Sequence, residues 1–187
     1  MNTTEPVTRA FFALVPPASL RRSLGEMARS IARRVGGRPV PADNIHLTLA
    51  FIGAWPVARV PMLMELAAGL DGTPDTITLD TLGCFRRAGV AWIGASVPST
   101  ALMTLATSLQ DALANAGIAL DGRPFHPHLT LVRKARAGCP NETAGPFAWT
   151  VDEVTLMSSD TRAEGARYAV LGRWPLASRS GGDNESI

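Results

Sequence analysis

The tetrapeptide His-Leu-Thr-Leu stands at residues 46–49 and again at 128–131, 82 positions on (128 minus 46), and it holds two of the three histidines in the chain. An imidazole exchanges its proton near neutral pH, so two of them across a cleft can serve one reaction as acid and base. One accepts a proton from an attacking hydroxyl or water; the other, protonated, gives a proton to the leaving oxygen. Each such role is typically worth about 10²–10⁴ in rate. Thr48 and Thr130, two residues after each histidine, add hydroxyl donors for the non-bridging oxygens of a phosphoryl group, where charge builds up in the transition state. His46 and His128 are therefore the candidate catalytic pair and Thr48 and Thr130 the candidate phosphate clamps. No metal or other cofactor is needed for this chemistry.

Side chains alternate between the faces of a strand. His46 and Thr48 thus share one face, and Leu47, Leu49 and Phe51 the other; His128 and Thr130 oppose Leu129 and Leu131 in the same way. Each strand anchors through its leucines and presents a His–Thr pair. Both pairs face one cleft only if the fold sets the two strands side by side.

The flanking elements allow this. Arg9 to Val15 reads as a buried strand, ended by Pro16-Pro17. Leu20, Leu24, Met27, Ile31 and Val35 then recur at helical spacing over residues 19–35, which Gly36-Gly37 stop. A second helix is expected over residues 56–70, strands over 76–82 and 90–97, and a long helix over 98–116. The second HLTL strand follows, then a loop over 135–146 rich in Gly, Pro and Asn, and two last strands over 149–157 and 167–171. The pattern is α+β, with an HLTL strand in each half, and suggests a duplicated unit with internal pseudo-symmetry. Residues 1–177 read as a single domain, and the tail at 178–187 is too polar to build a core.

Length and composition fit this reading. A chain of 187 residues buries a sizeable core unaided. Its 18 basic and 16 acidic residues give a net charge of +2, too mild for a dedicated polyanion binder but compatible with a phosphate-bearing ligand. Cys84 and Cys139 form no CxxC pair and read as reduced thiols. The apolar run near the start is too short for a signal core or a membrane span, so a monomeric cytoplasmic protein away from membranes is expected.

The stretch IHLTLAFIG resembles the first motif of the two-histidine (2H) phosphoesterases, HxTxxFxG, through His46, Thr48, Phe51 and Gly53. RPFHPHLTLVR, residues 123–133, resembles the second motif of the LigT-like branch, Pro-His-x-Thr-Leu followed two residues later by an arginine, here Arg133. RAFFALVPP, GCFRRAGVAWIGA and SSDTRAEGARYAVLGRWPL carry the likeness over nearly all of residues 8–177. The branch most resembled is the bacterial and archaeal RNA 2′,3′-cyclic phosphodiesterases. The resemblance implies a bilobal fold of two antiparallel sheets flanked by helices around a central cleft. It also implies hydrolysis of 2′,3′-cyclic phosphate ends of RNA or oligonucleotides to 2′-phosphomonoesters. In it the first-motif histidine, His46, donates the proton and His128 accepts one.

The remaining residues divide less cleanly. His126 falls outside the second motif, before Pro127, and reads as a loop or rim residue; an HxH metal site with His128 lacks further ligands. Arg133 falls on the wrong face by strict alternation, although a bulge would turn it toward the substrate. Phe51 reads as core and Gly53 as a strand-end turn. Phe11, Phe12, Trp55, Trp92 and Tyr168 are candidates for stacking on a nucleobase. A phosphodiesterase for another cyclic or 2′-5′ linked nucleotide, a non-catalytic RNA-end binder, and a physiological ligase stay as rival readings.

Overall fold

The computed structural model describes residues 5–137, 142–162 and 165–177. In chain order the elements are β1 (Val7–Leu14), α1 (Ala18–Val35), β2 (Arg38–Pro39), β3 (Leu47–Pro56), α2 (Val60–Ala68), β4 (Asp75–Phe85), β5 (Val90–Gly94), α3 (Thr100–Asn115), β6 (Leu129–Arg133), β7 (Thr143–Val151), β8 (Glu153–Arg162) and β9 (Gly165–Pro175). The expected tail at 178–187 and Cys139 lie outside the described residues. Cys84, expected as a reduced thiol, is disulfide-bonded. No helix among the described residues is long and apolar enough to cross a membrane.

Among the described residues, nine strands form one sheet in the order β7-β4-β5-β6-β3-β1-β8-β9, with the short β2 beside β6. Every pairing is antiparallel. The two sheets expected from the sequence are two halves, β7-β4-β5-β6 and β3-β1-β8-β9, joined where Leu47 stands opposite Leu129. That junction is the second residue of each HLTL copy, so the tetrapeptides lie at the centre of the molecule.

The helices cover one side of this sheet. In α1 the buried positions Leu24, Ala28, Ile31 and Val35 form a stripe three to four residues apart. In α3 Leu102, Leu105, Leu109 and Leu113 do the same, and the Ser99 hydroxyl caps the helix by accepting from the Leu102 amide at 3.1 Å. Each helix reaches across the junction: α1 follows β1 yet packs on β6, and α3 follows β5 yet packs on β3. These crossed contacts cover the central strands on their leucine side, where Leu47, Leu49, Leu129 and Leu131 are all buried. The opposite face of the sheet is left for the His–Thr pairs.

The segment 149–157, expected as one strand, is two. β7 ends at Val151 and pairs with β4; β8 begins at Glu153 and pairs with β1 in the other half. At Asp152 the chain changes halves, and its carbonyl accepts from the Leu176 amide at 2.7 Å. Apolar residues flank the acidic pair Asp152-Glu153 on both sides because both halves share one core. Likewise β7 starts at Thr143, inside the expected loop, because it borders β4 from Thr81 onward.

Candidate active site

In the antiparallel register fixed by Leu47 opposite Leu129, His46 falls opposite Thr130 and Thr48 opposite His128. The four residues make a square on the exposed face of the central strands, with the histidines on one diagonal and the threonines on the other. All four side chains are half-buried. His46 and His128 each stand just ahead of their strand and are held alike. The Nδ1–H of His46 donates to the Asn44 carbonyl at 2.8 Å, and that of His128 to the His126 carbonyl at 2.6 Å. A carbonyl only accepts, so the proton sits on Nδ1 in both rings and Nε2 is left to exchange protons in the cleft.

Aromatic side chains fix the ring planes. His46 lies 4.9 Å from Phe11 and 5.1 Å from Tyr168, centroid to centroid, edge-on to the tyrosine. Tyr168 arrives because the β8–β9 hairpin reaches back over this face, where the Asn44 side-chain amide donates to the Ala166 carbonyl at 2.8 Å. With Ala13 and Met157, Phe11 forms a small apolar cluster separate from the main core, against which Tyr168 packs. His128 lies 4.9 Å from Phe85 and 6.2 Å from Trp92. Trp92 needs Gly83 opposite it, since a Cβ there would stand 2.2 Å from the indole.

A buried imidazolium is costly, so burial is the main cause that lowers the pKa of His46 from 6.5 to about 4. The Asn44 carbonyl opposes the shift, while the charges of Arg133 and His128 add to it. His128 is lowered too, again chiefly by burial, then by the charges of His126 and Arg133, with the His126 carbonyl acting against them. Arg133 is thus within electrostatic reach of both rings.

Two matching bulges explain how Arg133 gets there. In β6, Thr130 pairs with Trp92 but Val132 with Ala91, so Leu131 is an extra residue. In β3, Thr48 pairs with Ala13 but Ala50 with Phe12, so Leu49 is extra. The last leucine of each HLTL is the bulged residue. Leu49 and Ala50 are both buried, as are Leu131 and Val132, which breaks the two-residue alternation. Beyond the bulge, Arg133 turns onto the site face and is exposed. Phe51, expected in the core, turns out in the same way and is 47% exposed. Gly53, expected as a strand-end turn, lies within β3 at φ 83°, beside a second extra residue, Ile52. That backbone angle is natural for glycine.

Of the other sequence candidates, Phe11, Tyr168 and Trp92 border the two histidines, whereas Phe12 and Trp55 belong to the core. His126 is exposed, with its ring 4.8 Å from Trp92 and 5.9 Å from His128. Phe85 and Asn44 are not marked by their types or spacing. Phe85 ends a long strand beside a turn, and Asn44 acts through its carbonyl, which any residue carries. Among the described residues no three His, Cys, Asp or Glu side chains gather as they would around a metal ion.

Two His-x-Thr strand entries meeting on one sheet face are the mark of a two-histidine phosphoesterase. The family model described as LigT like Phosphoesterase matches residues 14–92 and again 93–168, one match for each half of the sequence. The chain belongs to the LigT-like phosphoesterase family. It is 38% identical over 170 residues to the RNA 2′,3′-cyclic phosphodiesterase of Escherichia coli K12, covering 90% of this chain and 96% of that one. The enzyme of the same name from Thermus thermophilus is 29% identical, with 92% of each chain covered. Among solved structures, E. coli LigT complexed with 3′-AMP superposes with a TM-score of 0.86 at 36% identity, over 92% of this chain and 100% of that one.

Proposed function

We propose that this protein hydrolyses the 2′,3′-cyclic phosphate at the end of an RNA or oligonucleotide to a 2′-phosphomonoester. The observation that carries the reading is the square of His46, Thr48, His128 and Thr130 on one sheet face, with both Nδ1 protons committed to carbonyls. The name shared by the E. coli and T. thermophilus relatives supports the substrate class.

In this reading the cyclic phosphate sits between the two rings. His128 Nε2 takes a proton from water as its oxygen bonds to phosphorus. The P–O3′ bond breaks, and His46 Nε2 gives the departing O3′ its proton. Thr48 and Thr130 donate to the non-bridging oxygens, and Arg133 offsets the charge gathering on them. His46 is a poor cation in the free protein, so its donor role requires the substrate anion to raise its pKa on binding. The protein acts as a monomer and needs no added metal.

The test is to incubate purified protein with an oligonucleotide ending in a 2′,3′-cyclic phosphate, with and without EDTA, and to assign the product by phosphorus NMR. A 2′-phosphomonoester in both samples is expected. A 3′-phosphomonoester would reverse the assigned leaving oxygen. Binding without product would make the protein an RNA-end binder.

A further inference from the structure

Three segments distant in sequence meet at the far end of β6 and bring six cations together. Arg133 ends the strand, and Lys134 and Arg136 follow it. Arg38 of β2 stands opposite Arg133 on one side, and Val90 of β5 on the other. The turn ahead of Val90 carries Arg86 and Arg87, and its Gly89 carbonyl accepts from the Ala135 amide at 2.9 Å. The Val35 carbonyl at the end of α1 accepts from the Arg136 amide at 3.0 Å. All six residues are exposed.

No acid balances them from these segments. Residues 27–42, 81–110 and 122–141, to which the six belong, contain no Asp or Glu, yet they hold ten of the 18 basic residues. The net charge of +2 thus conceals a strongly basic face. Among the described residues none of the six is in an ion pair, whereas nearby Arg34 is neutralised by Glu142 at 2.7 Å. The patch touches the cleft at two points. Arg86 follows Phe85, whose ring lies 4.9 Å from that of His128. Arg38 stands directly across from Arg133 and so extends the site face outward. Arg38 and the turn at 86–89 flank β6 from opposite sides, about 10 Å apart, which is two strand spacings. One terminal phosphate, already met by Arg133, cannot occupy them all. Among the described residues these segments carry no exposed aromatic ring, so the surface suits a phosphate backbone and not bases.

We propose that Arg38, Arg86, Arg87, Lys134 and Arg136 form a surface for the phosphodiester backbone of the RNA upstream of its cyclic end. The strand leaves the cleft past Arg133 and runs over this patch. The inference rests on the proposed function. It makes RNA length, and not sequence, the property that the protein reads outside the cleft.

The experiment follows a labelled uridine dodecamer ending in a 2′,3′-cyclic phosphate by fluorescence anisotropy over a salt series, on the His46→Ala background. The patch variant combines Arg38→Gln with Arg87→Gln. A control removes two charges elsewhere, Arg22→Gln with Arg29→Gln, both exposed on α1 at the helix side of the sheet. The patch variant is expected to flatten the log–log slope of affinity against salt by about 1.4, at about 0.7 for each single-strand phosphate contact. The control leaves the slope unchanged. With His46 restored, the patch variant loses kcat/KM on the dodecamer and keeps it on adenosine 2′,3′-cyclic phosphate. An unchanged slope in the patch variant, an equal change in the control, or an equal loss on both substrates overturns the surface. So does patch-dependent sedimentation with phosphatidylglycerol vesicles in place of any effect on RNA, which would assign the surface to a membrane. If the wild type hydrolyses neither substrate the proposed function falls, while the salt slope still accepts or rejects the surface.

Discussion

The two walls of the cleft begin from the same tetrapeptide and the same bulge, yet they give their histidines different surroundings. His46 is wedged between Phe11 and Tyr168 and is pinned by Asn44, whose side chain ties the β8–β9 hairpin down. His128 packs on Phe85 and Trp92 with a second, exposed histidine beside it. Past the bulge, one wall carries Phe51 and the other Arg133. The shared backbone sets where each ring stands and which nitrogen is free. The residues two before and five after each histidine set the charge around it. In this molecule pseudo-symmetry repeats the scaffold and leaves the chemistry to a few unmatched side chains.

The contrast can be tested from its largest expected effect to its smallest. Replacing either candidate histidine, His46 or His128, is expected to cost about 10²–10⁴ in kcat while the circular dichroism spectrum stays native, because the proposed mechanism gives each ring one proton-transfer role. A wall whose histidine can be removed without that loss is not part of the pair. Arg133→Gln is expected to lower kcat/KM about 10- to 100-fold, the scale of a hydrogen bond to a charged group. Because the arginine charge lowers both imidazoles, the same change raises both histidine pKa values, which NMR titration reads directly.

The depth of His46 also has a stability signature. Unfolded, it titrates near 6.5, and folded near 4, so between these values the unfolded chain binds more protons. The stabilising effect of keeping His46 neutral is complete above pH 6.5 and fades as pH falls toward 4. The full loss amounts to about 3 kcal/mol for a shift of this size. Thermal melts across that window should slope more steeply in the wild type than in His46→Ala. Equal slopes would mean that His46 is wetter than the fold implies. The smallest effect belongs to His126. His126→Ala removes an exposed charge and leaves the carbonyl that orients His128, so the His128 pKa rises and kcat/KM shifts by less than about fivefold.

Much of this is legible from residue order alone. The leucine spacing of α1 and α3 matches the faces they bury, and the HLTL alternation assigns His and Thr to one side of each strand correctly. Alternation fails just past each tetrapeptide, since a bulge is an extra residue in one strand relative to its neighbour and leaves no mark in that strand's own pattern. By alternation Phe51 therefore falls in the core, while for Arg133 a turned position is one of two options. The division falls at the acidic pair Asp152-Glu153, which marks a break in the apolar pattern but not which strand each half borders. Asn44 and Phe85 matter through contacts with the histidines, and neither position shows that from its own type.

The central claim is that the two walls work as one acid–base pair, and a double-mutant cycle in kcat over His46→Ala, His128→Ala and the combined variant tests it most directly. On a 2′,3′-cyclic phosphate substrate, each single variant should lose nearly as much as the double, because one histidine without the other leaves the proton relay broken. Losses that multiply across the cycle, or a single variant that keeps near wild-type turnover, would contradict it.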